Sequence, residues 1–180
     1  MALWNVIDRT DVGGGGATYY DKSSISASYD HLCLMISTRS DEVSDYGTLE
    51  IRLNNAGGTN YSMTSYYMAS SAYAHQTSGS DSMGPNYCTI GDSAAANCFA
   101  PATIWIPNYA NTANYKQISV SGYIMGTSTS TNAWWGWQAA GLWQDTSAVD
   151  QIQLSSAKSG LGTVDFMEHS SFTLYGVLGA

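Results

Sequence analysis

Charge is what this sequence lacks most. Only 11% of its 180 residues are Asp, Glu, Lys or Arg, against the usual quarter or so of a soluble domain. The six bases (Arg9, Lys22, Arg39, Arg52, Lys116 and Lys158) are scattered singly, and fourteen acids leave a net charge of -8. Binding to nucleic acid requires clustered Lys and Arg that displace counterions from phosphates, so no nucleic-acid partner is expected. No apolar run approaches membrane length, and Met1–Ile7 has neither a basic lead nor a long apolar core. The sequence therefore predicts no membrane partner and a protein made and folded in a cytosol.

Cysteine and proline are scarce as well, with three of each. Cys33, Cys88 and Cys98 have no Cys-x-x-Cys spacing. Cys33 lies in an apolar run and reads as a small buried hydrophobe. Cys88 and Cys98 are either bridged across a loop or reduced, as a cytosol favours. His31, His75 and His169 are far apart and share no metal-ligand spacing with Cys or Asp. Asp8 with Asp11, or Asp41 with Glu42 and Asp45, do not follow the calcium-loop pattern. There is no Gly-x-Ser-x-Gly elbow and no recognisable carboxylate pair. The expectation is a protein without catalytic residues, cofactor or metal.

What is present is 44% hydrophobic and 12% aromatic residues, with polarity supplied mainly by hydroxyls and amides. That content is too apolar for disorder, and the length suits a single domain. Period-2 alternation recurs along the chain and marks half-buried strands. Leu49-Glu50-Ile51-Arg52-Leu53 shows it most cleanly, and Ile152 with Leu154, Phe172 with Leu174, Ile118 with Val120 and the Ile25–Tyr29 stretch repeat it. Leu32–Ile36 is apolar on both faces and reads as a central strand. No helix-length amphipathic window appears. Seven or more short strands with regular turns predict an all-β fold, a single-domain, jelly-roll-like β-sandwich.

Residues 1–21 are expected to form an N-terminal arm, hinged at Gly13–Gly16, ahead of a sandwich domain over residues 22–180. Within the arm, the apolar piece Leu3–Ile7 reads as either a first strand or an anchor on a neighbouring subunit. The glycine run has no strand-then-helix context and no Gly-Lys-Ser/Thr, so it is not a phosphate loop. Lys158–Gly162 and Gly126–Asn132 read as turn or loop. From Tyr61 to about Ala100, tyrosines are interleaved with Ser, Met, Ala and Gly without a sustained period. The stretch reads as a contact loop or a surface insertion. Four of the six tryptophans fall between Trp134 and Trp143, either at an inter-protein surface or, alternatively, as a sugar-stacking platform. Trp4, Tyr66, Tyr67, Trp134, Trp135 and Trp137 are the expected interface residues.

Several segments together resemble a group of small phage structural proteins. They are Tyr29–Leu32 followed by Ser37–Asp41, the Leu49–Asn54 strand, Asn60–Ser62, and Ile106–Asn111 with Lys116. The group also carries an Ile-x-x-Ile-x-Leu segment, here Val149–Leu154, and a terminal Phe-x-x-Gly-Ser-x-x-x-Leu-Tyr-Gly-Ile, here Phe166–Val177 with His169 in place of the glycine. The resemblance implies a capsid decoration (cement) protein of a bacteriophage head, a trimer bound to the major capsid protein. The alternative it leaves is a tail-fibre or receptor-binding module contacting host glycans. It brings no catalytic residues.

Overall fold

A computed structural model describes residues 3–68, 72–85, 88–125, 134–157 and 163–179. Thirteen strands run through them: β1 (Leu3–Asp11), β2 (Tyr19–Lys22), β3 (His31–Thr38), β4 (Tyr46–Leu53), β5 (Tyr61–Met68), β6 (Ala72–Ser80), β7 (Thr89–Ile90), β8 (Ala100–Pro107), β9 (Lys116–Met125), β10 (Trp134–Trp143), β11 (Ile152–Ala157), β12 (Thr163–Val164) and β13 (Ser171–Leu178). Eight of them form one sheet in the order β1-β13-β3-β8-β9-β10-β5-β6. In the second sheet β4 lies between β7 and β11, while β2 and β12 share the far edge of β11. The fold is a jelly-roll-like β-sandwich, as the alternation predicts.

The core is where the alternating strands turn their apolar sides. Leu49, Ile51 and Leu53 of β4 and Ile152 and Leu154 of β11 meet Leu32, Leu34, Ile104, Ile118, Phe172 and Leu174 of the large sheet, all within 1% of full burial. Each such side chain contributes roughly 1.5–3 kcal/mol on leaving water. Arg39 and Lys116 are the cations inside. Arg39 is 6% exposed, and its guanidinium donates to the carbonyls of Ala95 at 2.8 Å and of Asp92 and Ala94 at 3.1 Å. Lys116 Nζ donates to the carbonyls of Asn114 at 2.9 Å and Thr146 at 3.1 Å. Burial lowers its pKa, which nearby Asp145 partly offsets.

Three expectations are corrected. Residues 3–11 are not an arm but the edge strand β1, paired antiparallel with β13 from Leu3 opposite Leu178 to Asp11 opposite Ser171. Of the two readings of Leu3–Ile7 it is thus the first-strand one that the structure takes, with a register shift between Val6 and Asp8 that breaks the alternation. The glycine run is a turn, with the Gly16 N–H donating to the Gly13 carbonyl at 3.0 Å, and it carries the chain from the large sheet to the small one. The Ile25–Tyr29 stretch is not a strand, although Ile25 is buried and donates to the Asp150 carbonyl. Ser24 at φ 57° turns the backbone out of extended geometry just before it. Finally, the Tyr61–Ala100 stretch contains the β5–β6 hairpin and β7. The expected turns at 126–132 and 158–162 lie outside the described residues.

His169 has a φ of 73°, so the turn before β13 has the left-handed geometry that suits a glycine. Its N–H donates to the Val12 carbonyl at 2.9 Å, tying that turn to β1. A non-glycine residue in this region costs roughly 1–2 kcal/mol, while glycine loses more entropy on folding. His169→Gly should therefore stabilise the protein by about 0.5–1 kcal/mol. Denaturant midpoints of the two proteins check this, and an unchanged or lower midpoint would refute it.

Candidate functional site

The expected interface residues whose side chains are described do not gather on one surface, although Tyr67 and Trp135 touch. Trp4 stands on β1, 44% exposed, its ring 6.0 Å from Trp105 and 5.6 Å from Tyr175. Tyr66 points to solvent from the outer face of β5. Tyr67 points the other way, stacked on Tyr73 at 5.4 Å and tilted against Trp135 at 5.6 Å. Trp137 is 3% exposed and belongs to the core, not to an outer surface. The physical reason is space: Gly122, directly opposite on β9, leaves room for its indole. Trp143 is buried as well, stacked on Tyr61 at 6.3 Å. Trp134 opens β10, and its side chain lies outside the described residues.

Among the described residues, no three of His, Cys, Asp and Glu come together as a metal would require. Burial pushes the Cys33 thiol up to about 11 and the Cys88 thiol well above its ordinary value. Both are therefore neutral and weakly nucleophilic near pH 7. No disulfide joins Cys33, Cys88 and Cys98, and the Cys88 thiol donates to the Pro85 carbonyl at 3.0 Å.

The distinctive surface is the solvent face of the large sheet. Three adjoining depressions of about 790, 740 and 390 Å3 lie over β5, β6, β8, β9 and β10. The first shares Gln117 and Leu142 with the second, and Ser119 and Ala140 with the third, so together they make one trough. Register sets its floor. Trp105 stands opposite Ser119, Ser119 opposite Ala140, Ala140 opposite Thr64, and Thr64 opposite Gln76. Across β9, β10 and β5, therefore, the floor is made of small side chains, with a tryptophan at one end and an amide at the other. A parallel line two residues along begins with Gln117 opposite Leu142, and on the other side Ser121 stands opposite Gln138 and Gln138 opposite Tyr66.

Trp105 is held upright at the margin of this trough. Its ring packs against Trp4 and, at 5.4 Å, against His31, both on the β3 side of its own strand. The sequence carried a signal for it that the tryptophan-rich run outshone. In Ile104-Trp105-Ile106 two buried isoleucines flank the tryptophan, so the period-2 rule sends it to the opposite face.

No protein-family model matches the chain, and no characterised protein sequence matches it either. Among solved structures, it is similar to a PL-14 alginate lyase from Aplysia kurodai, at 10% identity over 96% of this chain and 82% of that one, with a TM-score of 0.38. It is also similar to the galectin LEC-6 from Caenorhabditis elegans, at 12% identity over 96% and 94%, with a TM-score of 0.30. A GH16 protein from Bacteroides ovatus aligns at 9% identity over 97% and 80%, with a TM-score of 0.22.

Proposed function

We propose that this is a phage virion structural protein, a decoration (cement) protein that binds the outer surface of the head as a trimer and contacts the major capsid protein. Support comes from where the phage-like segments fall. Leu49–Asn54, Val149–Leu154 and Phe166–Val177 supply β4, β11 and β13, and several of the other matched positions are internal fastenings. Arg39 and Lys116 hold loop carbonyls, Tyr109 is fully buried, and the Asn54 amide donates to the Ala148 carbonyl at 2.8 Å. A resemblance concentrated in a scaffold fits a protein whose task is to be a durable body, with contacts that vary.

The observation that carries the reading is the β1 edge. Leu3 is 55% exposed, Trp4 44% and Val6 60%, on a strand with one open side. Apolar side chains gathered at an unpaired strand edge suit burial by a neighbouring chain. Many weak contacts of this kind, repeated over a symmetric shell, add up by avidity.

Copy number tests the proposal. Intact particles are purified and this polypeptide is quantified against the major capsid protein. About one copy per capsid subunit, or per few subunits, is expected. A ratio lower by more than about tenfold places the protein at the tail or at one vertex and favours the fibre reading. Absence from the particle overturns both.

A further inference from the structure

We propose that the trough on the solvent face of the large sheet is a binding site for a neutral oligosaccharide, with Trp105 as its stacking platform. The inference is independent of where on a particle the protein sits. It starts from charge: among the described residues, no Asp, Glu, Lys or Arg side chain lines any of the three depressions. An anionic ligand, whether phosphate, nucleic acid or uronate, needs Arg or Lys placed against it, and the trough offers none.

Two further ligand classes fit poorly. An extended peptide binds by adding to a free strand edge, whereas the floor strands β8, β9, β10 and β5 are paired on both sides, and the open edge of β6 lies only at the margin of the trough. A compact apolar ligand needs an enclosed apolar pocket, and this trough is shallow, with a floor of Ser119, Thr64 and Ala140.

What the trough does offer is amides and hydroxyls beside aromatic rings. Gln76, Gln117 and Gln138 reach it from β6, β9 and β10, on both sides of the small-residue floor. Each carboxamide both donates and accepts, matching sugar hydroxyls, which also do both. The small floor lets a flat ring settle between taller side chains. Trp105, braced from behind by Trp4 and His31, presents a rigid aromatic surface that needs little ordering on binding. Tyr66 at one end and Tyr115 at the other extend the aromatic character along the trough. That length suits a chain of several sugar residues over a single one.

The test uses the whole purified chain with two probe sets of matched length: neutral oligosaccharides (gluco-, galacto-, manno- and chito-types) and uronate oligosaccharides. Array binding followed by calorimetry should show at least one neutral type bound in the range of roughly 1 µM to 1 mM, and the uronates not bound. Trp105→Ala should weaken binding by about tenfold or more. Because Trp105 also packs on Trp4, a second variant guards against a folding defect. Ser119→Trp fills the floor from an exposed position and should block binding while the thermal midpoint stays put. No neutral binder at about 10 mM, a preference for uronates, or full affinity in Ser119→Trp would each overturn the proposal.

Discussion

Arg39→Met is expected to destabilise the protein by about 3–5 kcal/mol, which is much of a typical domain's margin. The guanidinium is almost fully enclosed and points at the 92–98 loop, where it serves the carbonyls of Asp92, Ala94, Ala95 and, at 3.4 Å, Cys98. A planar fork of five donors suits that task, because several carbonyls must be reached from one point. Methionine fills similar space but donates nothing, and each buried carbonyl left alone costs roughly 1–3 kcal/mol. Arg39→Lys should fall between, since an ammonium keeps the charge but reaches fewer of the four acceptors. Asp92→Asn should cost less than about 1 kcal/mol, because that ion pair is 3.5 Å long and its carboxylate side is 57% exposed. Urea titrations give all three values. Equal losses for Arg39→Met and Asp92→Asn would mean that the ion pair, not the carbonyl cradle, does the holding.

Arg39 also illustrates how much the sequence tells. The sandwich was legible because β4 and β9 alternate strictly, as do Ile152–Ser156 of β11 and Ser171–Gly176 of β13, and buried apolar residues on one face leave that pattern with no competing reading. Where strands lie at the edge, burial no longer enforces the pattern. In β6 none of the nine residues is buried, and β1 is mostly exposed and bulged, so neither strand imposes a period on its sequence. In β5 the inward residues are Tyr61, Met63 and Ser65, which contrast too weakly with their neighbours to be heard. The role of Arg39 was out of reach for a different reason. Its acceptors are backbone carbonyls more than fifty residues away, and a carbonyl leaves no letter in a sequence. The trough is similar: its floor depends on which small residues stand side by side across three strands, which register decides and composition does not.

The tryptophan run shows the same limit and leads to the other large effect. Trp137→Ala should cost about 3–5 kcal/mol, as removal of a large core aromatic does. The matching test lies on the neighbouring strand. A Cβ at Gly122 would come within 2.6 Å of the Trp137 ring and 2.9 Å of the Pro101 carbonyl oxygen. Gly122→Ala should therefore cost about 1–3 kcal/mol by overpacking. In the Trp137→Ala background the ring contact is gone and only the carbonyl contact remains, so the second substitution should cost less than it does alone. The coupling in that double-mutant cycle should reach about 1 kcal/mol or more, with the sign that makes the double variant less unstable than the sum. Independent costs would mean that the indole shifts away from Gly122 without loss. Trp137→Phe should be much milder than Trp137→Ala, since the indole Nε1 is buried with no partner among the described residues and its removal gives up no bond. A purely structural Trp137 has a consequence for the functional tests. Any ligand lost from Trp137→Ala would be lost through the fold, so only Trp105 and Ser119, on the opposite face of the same sheet, report on the trough itself.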